Sequence, residues 1–197
     1  MDSDAGAGKT TFIKWFVERI RKNVTPASIV LTDLIYRPVA ECWQGTIEDM
    51  PIGYDLNWER LRDEVLSPLR VGKTARFQYY DWVNDSLNEW VEIEPDGVTI
   101  IDGVYSLRNE LADYYDLRIW FSCPQEIRVS RLLSRGDTPQ AEIDAWIPLE
   151  ERYHAAYKPE KSADLVIDSS VITLLEGEND WPKVIRWPPK INYDKSD

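Results

Sequence analysis

The chain has 197 residues, with 35 acidic and 23 basic side chains and a formal net charge of −12. This acidic balance weighs against nucleic acid or an anionic membrane as the partner, because both require a basic surface. This length predicts a single domain over residues 1–197, no repeat argues otherwise, and no apolar run is long enough to span a bilayer. Cys42 and Cys123 form no C-x-x-C motif, which favours a cytoplasmic protein with reduced thiols.

The first residues resemble the phosphate-binding pattern G-x-x-x-x-G-K-[ST], in which backbone amides and a lysine surround the phosphates of a nucleotide. Ser3 stands at the first glycine position, so Gly6 and Gly8 are expected to supply the unusual backbone geometry. The alternative is a flexible start to an ordinary amphipathic helix. The predicted nucleotide-binding residues are Ser3, Asp4, Ala5, Gly6, Ala7, Gly8, Lys9, Thr10 and Thr11.

A helix is predicted directly after this loop, because apolar residues recur at helical spacing until Asn23. Its N-terminus would turn amides and a positive dipole end towards the phosphates. A phosphate-binding loop of this kind follows a buried parallel strand, yet Met1 leaves no residues to form one. We therefore expect a shortened N-terminus; the alternative is that residues 184–187 fill the gap in the sheet.

Two short apolar runs predict buried parallel strands that end in carboxylates. Residues 28–32 lead into Asp33, and residues 98–101 lead into Asp102 and a glycine. Ligands of open α/β sheets bind where strands end, so both acids are candidate site residues. Thr10 and Asp102 are the predicted magnesium ligands. The alternatives are a helix-capping role for Asp33 and a simple Asp-Gly turn at Asp102.

The segment after the first of these strands, residues 32–37, resembles the D-x-F-Y-R motif of the uridine kinase family, relatives of phosphoribulokinase, with Ile35 in place of the phenylalanine. The resemblance implies that Asp33 accepts the proton of the acceptor hydroxyl and that Tyr36 helps to shape the acceptor pocket. That role suits phosphoryl transfer, which requires a positioned hydroxyl and a nearby base. Asp55, before a helix predicted to end near Leu69, corresponds to the family's acceptor-binding segment; capping that helix is the alternative.

Residues 74–82 and 88–94 predict an antiparallel hairpin, an insertion of about residues 74–94 laid over the acceptor site. Residues 79–82 resemble the family's P-x-Y-D-F signature, although Gln78 replaces the proline and the histidine expected shortly afterwards is absent. Tyr80 and Trp82 are candidate substrate-binding residues because their rings could stack on a base or a sugar. Ordinary cross-strand pairing is the alternative.

Further strands are predicted at 117–122 and 164–168, the end of a helix at 110–115, and a helix over 141–157 that is interrupted at Pro148. The arginines at 128, 131 and 135 recur at helical spacing in a segment that resembles the family's lid, about residues 128–140. The resemblance implies that Arg128 binds substrate and that Arg131 and Arg135 assist catalysis. A solvated cationic face is the alternative. The loop near residues 169–170 is expected to approach adenine, and residues 177–197 receive no assignment.

Together, the motifs predict a P-loop NTPase-type three-layer α/β fold, with a mostly parallel sheet, helices on both faces and the hairpin over the acceptor site. The predicted reaction is phosphorylation of a small-molecule hydroxyl, most simply on a nucleoside, by ATP with Mg²⁺. The alternatives are a kinase of another small alcohol or sugar, and a nucleotide-binding module without transferase activity. The predicted partners are ATP and a small-molecule acceptor, and the oligomeric state is left open.

Overall fold

The computed structural model describes residues 1–23, 25–171 and 182–186. Its strands are β1 Ala27–Leu31, β2 Ala75–Asp81, β3 Ser86–Ile93, β4 Val98–Asp102, β5 Ile119–Ser122, β6 Leu165–Asp168 and β7 Lys183–Arg186. Its α-helices are α1 Lys9–Asn23, α2 Trp58–Arg60, α3 Ser67–Arg70, α4 Gln125–Arg135, α5 Gln140–Tyr157 and α6 Pro159–Ser162. A π-helical segment, Leu61–Leu66, joins α2 to α3, and 3-10 turns cover Thr32–Leu34, Val39–Glu41 and Asn109–Tyr114.

The main sheet is built from two parallel pairs whose strands end at the same edge. β1 pairs with β4, and β5 pairs with β6. Between the pairs lie the first two residues of the chain. The Met1 amine donates a hydrogen bond to the Ile101 carbonyl (2.6 Å), and Asp2 forms a parallel bridge to Trp120. The spatial order is therefore β1, β4, Met1–Asp2, β5, β6 and β7, with only a two-residue segment at the centre.

Next to Met1, between β4 and β5, the structure has a cavity of about 580 Å³. Its apolar lining includes Phe16, Ile100 and Ile119. The alternative that residues 184–187 fill this gap is wrong for the described part of that segment, because β7 pairs antiparallel with β6 at the edge of the sheet. Trp187 lies outside the described residues.

Neighbouring residues of a strand point to opposite faces of the sheet, and helices pack on the apolar side chains of both faces. Phe121 of β5 contacts Phe12 of α1, with ring centroids 5.0 Å apart. On the other face, Trp120 packs with Tyr153 of α5 in a separate apolar cluster. Within the described residues, no helix is long and apolar enough to cross a membrane. The predicted three-layer α/β fold is confirmed.

The predicted hairpin is also confirmed, with β2 and β3 pairing antiparallel around a bulge between Gln78 and Tyr80. Phe77 is buried, and Arg60 donates a hydrogen bond to the Gln78 carbonyl (2.8 Å), which anchors the hairpin against the helical segment 58–70. At the end of β2, the Trp82 indole donates to the Asp33 carbonyl (2.9 Å). The hairpin therefore lies over the carboxyl end of β1.

Three local predictions need correction. α5 continues through Pro148 without interruption. Proline removes one helical hydrogen bond, but Pro148 and Asp144, whose carbonyl loses its partner, are both exposed, so water can replace that bond. The helix predicted at 110–115 is a 3-10 segment, Asn109–Tyr114, and β5 begins at Ile119 rather than near residue 117.

Candidate active site

The phosphate loop, residues 3–9, curves from the centre of the sheet into the N-terminus of α1. Gly6 and Gly8 both have positive φ, +77° and +91°, as expected from the sequence. At Gly6 a side chain is also excluded by space, since a Cβ would lie 2.6 Å from the Arg128 carbonyl oxygen. The loop thus combines left-handed glycines with the amides that begin α1, a geometry suited to binding an anion.

Ser3 and Lys9 interact across the loop. The Lys9 ammonium donates to the Ser3 hydroxyl (2.6 Å) and to the Ser3 carbonyl (3.4 Å), while the Ser3 hydroxyl donates to the Asp4 carbonyl (2.8 Å). Ser3 itself is fully buried. The serine at the first loop position therefore provides a hydroxyl partner for Lys9, which a glycine at this position would lack.

Beneath the loop, α4 and α5 contribute a buried charged cluster. Arg128 donates to the Ala5 carbonyl (2.8 Å), and Glu150 accepts from the Ala5 amide (2.8 Å). The two side chains form an ion pair of 3.1 Å. His154 bonds to Asp4 (2.8 Å), and this hydrogen bond raises the pKa of His154. The structure therefore places Arg128 under the loop; a contact of Arg128 with substrate stays a prediction.

The two strand-end carboxylates lie at the same edge as the loop. Asp102 is 7% exposed, and among the described residues its Oδ1 atom has no hydrogen-bond partner. Burial raises the pKa of Asp102; the nearby Lys9 and the N-terminal amine oppose this shift, and Asp33 adds to it. Asp33, in the 3-10 turn Thr32–Leu34, is exposed. The carboxylate of Asp102 is thus buried, whereas that of Asp33 is open to solvent.

These oxygens fit a hydrated magnesium ion better than an all-protein metal site. Among the described residues, no group of three or more His, Cys, Asp or Glu side chains could hold a metal. Mg²⁺ usually binds one or two carboxylates and completes its shell with water and phosphate oxygens. The unpaired Oδ1 atom of Asp102 and the exposed hydroxyl of Thr10, in the first turn of α1, provide donors of that kind.

On the other side of Asp33, aromatic rings form a cluster. The Trp82 ring lies 4.9 Å from the Tyr36 ring and 4.9 Å from the Tyr80 ring. The Tyr80 hydroxyl donates to Asp85 (2.8 Å), and burial raises the pKa of Tyr36. Trp82 remains 56% exposed. The predicted substrate-binding aromatics are therefore gathered around Asp33, with one large ring still open to a ligand.

Asp55 lies further along this side, where its carboxylate accepts from the Trp43 amide (3.1 Å). The side chain that caps α2 belongs to Asn57, which accepts from the Arg60 amide (3.1 Å). The capping alternative for Asp55 is therefore wrong. A direct contact of Asp55 with an acceptor stays a prediction.

The remaining two arginines of α4 have different surroundings. Arg131 donates to the carbonyls of Ser169 (3.0 Å) and Ser170 (2.6 Å), and so connects α4 to the loop after β6. Arg135 is exposed and pairs with Asp137 (2.7 Å). Of the three predicted lid arginines, only Arg135 is exposed; catalytic roles for Arg131 and Arg135 stay predictions.

Glu150 and His154 were not found as site residues by sequence reasoning, although the sequence contains a signal. Both fall on the stripe of α5 that begins at Ile143 and Ile147, at spacings of four, three and four residues. A carboxylate on an otherwise apolar stripe requires a buried partner. That partner, the phosphate loop, lies about 145 residues earlier in the chain.

A three-layer fold with a glycine-rich loop entering a helix, and acids at the ends of the neighbouring strands, is the arrangement of a P-loop protein of the kinase class, and the family comparison supports that class. The chain matches the model of the Phosphoribulokinase / Uridine kinase family over residues 1–175 and therefore belongs to that family.

Two curated relatives support this assignment. The chain is 28% identical over 178 residues to "Uridine kinase" of Staphylococcus haemolyticus (strain JCSC1435), covering 83% of each chain. It is 26% identical over 179 residues to "Uridine kinase" of Bacillus pumilus (strain SAFR-032), covering 83% of this chain and 81% of the relative. The protein is thus a small-molecule kinase of the P-loop type.

A solved structure shares the fold. The "Structure of a Possible Uridine Kinase from Bacillus stearothermophilus" superposes with a TM-score of 0.67 over 85% of each chain, at 21% sequence identity. At that identity the likeness concerns the fold alone.

Proposed function

We propose that the protein transfers the terminal phosphoryl group of ATP to a hydroxyl group of a nucleoside. The observation that carries the proposal is the position of Asp33. Its backbone carbonyl is held by the Trp82 indole, and its side chain is exposed beside the aromatic cluster, at the edge of the sheet where Asp102 also lies. Among the described residues, no group hydrogen-bonds to that carboxylate, so it is available to an incoming hydroxyl.

On the donor side, the amides of residues 8–11 bind the ATP phosphates, and Lys9 exchanges its Ser3 partner for phosphate oxygens. Thr10 and Asp102 are the residues that would hold Mg²⁺, which offsets the phosphate charge when bound. Arg135, exposed at the end of α4, is the arginine best placed to move towards that charge.

On the acceptor side, Asp33 accepts the proton of the acceptor hydroxyl as its oxygen attacks the terminal phosphorus of ATP. The bond from that phosphorus to the bridging oxygen breaks, and ADP leaves. The exposed ring of Trp82, which packs against Tyr36 and the buried Tyr80, offers an apolar surface on which a base can stack. Asp55 would bind acceptor hydroxyls at the rim of this surface.

The experiment is an acceptor screen with ATP labelled in its terminal phosphate, offered to a panel of nucleosides and of sugars, with Lys9→Ala as the inactive control. Label in a nucleoside monophosphate supports the proposal. Label found only in a sugar would show that the acceptor is a sugar rather than a nucleoside. If no acceptor is labelled but MgATP raises the melting temperature of the protein, the protein is a nucleotide-binding module without transferase activity. The absence of both label and thermal shift would contradict nucleotide binding altogether.

A further inference from the structure

The Ala5 peptide of the phosphate loop is held at both of its polar groups by one buried ion pair. Glu150 Oε1 accepts from the Ala5 N–H (2.8 Å), and Arg128 Nη1 donates to the Ala5 carbonyl (2.8 Å). The two side chains are 7% and 8% exposed and lie 3.1 Å apart. They come from different helices, α5 and α4, so the loop is held by elements far from it in sequence.

The next residue, Gly6, further restricts the position of this peptide. Gly6 contacts α4 so closely that even a Cβ would lie 2.6 Å from the Arg128 carbonyl oxygen. Before it, Asp4 is bonded to His154 (2.8 Å) and lies 3.5 Å from the Arg128 guanidinium. Residues 4–6 are thus enclosed by α4 and α5, while the amides from Gly8 onwards open towards the phosphate side.

We propose that Glu150 and Arg128 are positioning residues for phosphoryl transfer, which fix the Ala5 peptide and thereby the direction of the loop amides. A buried ion pair contributes little net stability, because the cost of removing both charges from water offsets their attraction. What this ion pair contributes is the orientation of the Ala5 peptide, since Glu150 accepts a hydrogen bond from Ala5 and Arg128 donates one to it. The inference rests on the proposed function in so far as the loop binds the phosphates of ATP.

The orientation of the Ala5 peptide matters because backbone amides bind a phosphate group well only when their N–H bonds point towards the same position. A shift of about 1 Å in such a group can lower a rate about 10²-fold. Loss of the pair should therefore weaken MgATP binding and slow transfer, while the acceptor side, built from the hairpin and the loop after β1, keeps its affinity.

The decisive variant is the double substitution Arg128→Leu with Glu150→Met. Apolar replacement of both partners leaves no unpaired buried charge, because Asp4 keeps its bond to His154, and such replacements often preserve stability. If the pair is only structural, this variant regains wild-type function together with its fold. If the pair positions the loop, the melting temperature is retained while MgATP affinity falls at least about tenfold and kcat about 10²-fold.

Two single variants accompany it. Glu150→Gln keeps an oxygen for the Ala5 N–H and is expected to stay within about fivefold of wild type in MgATP affinity. Glu151→Gln, at the exposed neighbour, is the matched control and leaves every constant unchanged. Should the double variant fail to fold, Glu150→Asp replaces it, because it keeps the charge but shortens the reach to Ala5.

Affinity is measured by calorimetric titration of MgATP, and kcat and KM are measured separately for ATP and for the acceptor. Wild-type MgATP affinity and kcat in a folded double variant, or unchanged affinity in Glu150→Asp, would overturn the proposal. The titration does not require a known acceptor. Failure of transfer in wild type therefore counts against the proposed function, while the ratio of affinities still tests the positioning role.

Discussion

The donor and acceptor sides of the site are built in different ways. Around the phosphate loop, Ser3, Arg128 and Glu150 are buried and bonded to fixed partners from three parts of the chain. Around Asp33, the side chains lie on a turn and a hairpin, and Trp82 remains 56% exposed. The donor side is part of the core, whereas the acceptor side is carried by connections between strands. Substrate choice can therefore change without altering the chemistry that both sides share.

The largest effect is expected for Lys9→Ala, which removes the charge that meets the ATP phosphates. We expect turnover to fall by about 10³-fold or more, because single donors to developing charge are worth about 10²- to 10³-fold and the loop lysine is a full charge. The measurement is steady-state transfer at saturating acceptor, together with the denaturation midpoint. The fold should survive, since Lys9 bonds only to Ser3 in the described structure. Turnover equal to wild type would remove the loop from the mechanism.

A smaller effect, on the acceptor side alone, is expected for Trp82→Ala. Loss of the exposed ring should raise the KM of the acceptor about tenfold, the range of one aromatic contact with a base, and leave the KM of ATP unchanged. Trp82→Phe separates the ring from its hydrogen bond to the Asp33 carbonyl. The matched control is Trp90→Ala on the other hairpin strand, where the ring is similarly exposed but lies beside Arg76. Equal effects of the two alanine variants would show that the hairpin contributes only stability.

Stability should rise when about eight apolar residues are added before Met1 to extend the central strand into the 580 Å³ cavity. Burying two large side chains there is worth roughly 3 to 6 kcal/mol, reduced by the entropy of ordering the added residues. The measurement is the denaturant midpoint, compared with an extension of equal length made of glycine and serine. Equal midpoints for the two extended chains would show that no strand enters the cavity.

The unextended chain and the chain with the apolar extension are expected to differ in the pH dependence of their stability. Burial lowers the pKa of the Met1 amine from 8.0 to about 6, so the unfolded chain binds more protons between these values. A chain that begins at Met1 should therefore lose stability as the pH falls from 8 through 6, and the apolar extension should remove this loss. Asp2, whose pKa burial raises to about 6, contributes with the opposite sign between about pH 4 and 6.

The smallest effect is expected for His154→Gln. The hydrogen bond to Asp4 raises the pKa of His154, so its stabilising contribution is present below the unfolded value near 6.5 and is lost as the pH rises through the folded value. The side chain is 38% exposed, so solvent screening limits the contribution to about 1 kcal/mol. Denaturation midpoints at pH 6 and pH 8.5 measure it. The variant also loses the ring contact with Trp120, but it does so at both pH values, so this loss cancels when the two midpoint differences are compared. A difference between wild type and variant that is the same at both pH values would contradict the ionic role of His154.

Local patterns predicted the elements that hold the site. The loop at residues 3–11, the helix after it and the strands ending near Asp33 and Asp102 are each encoded within a few residues, by glycine, helical spacing and short apolar runs. The hairpin was recognisable for the same reason, because its alternation and turn are local in sequence.

Long-range pairings could not be read in this way. Met1 and Asp2 enter the sheet through hydrogen bonds to strands about 100 residues later. Glu150 reaches Ala5 only because the fold brings α5 under the loop. The position of β7 beside β6 likewise depends on which edge of the sheet is open, and no property of residues 183–186 alone decides it.

The most direct test of the mechanism is the single-turnover rate of Asp33→Asn at saturating MgATP and acceptor. Asparagine keeps the shape of the side chain but cannot accept the proton, so acceptor binding should survive while the rate falls by about 10²- to 10⁴-fold. Asp102→Asn is the control, in which the larger effect should be on Mg²⁺ dependence. A rate for Asp33→Asn within about threefold of wild type, well below the general-base range, would contradict Asp33 as the base.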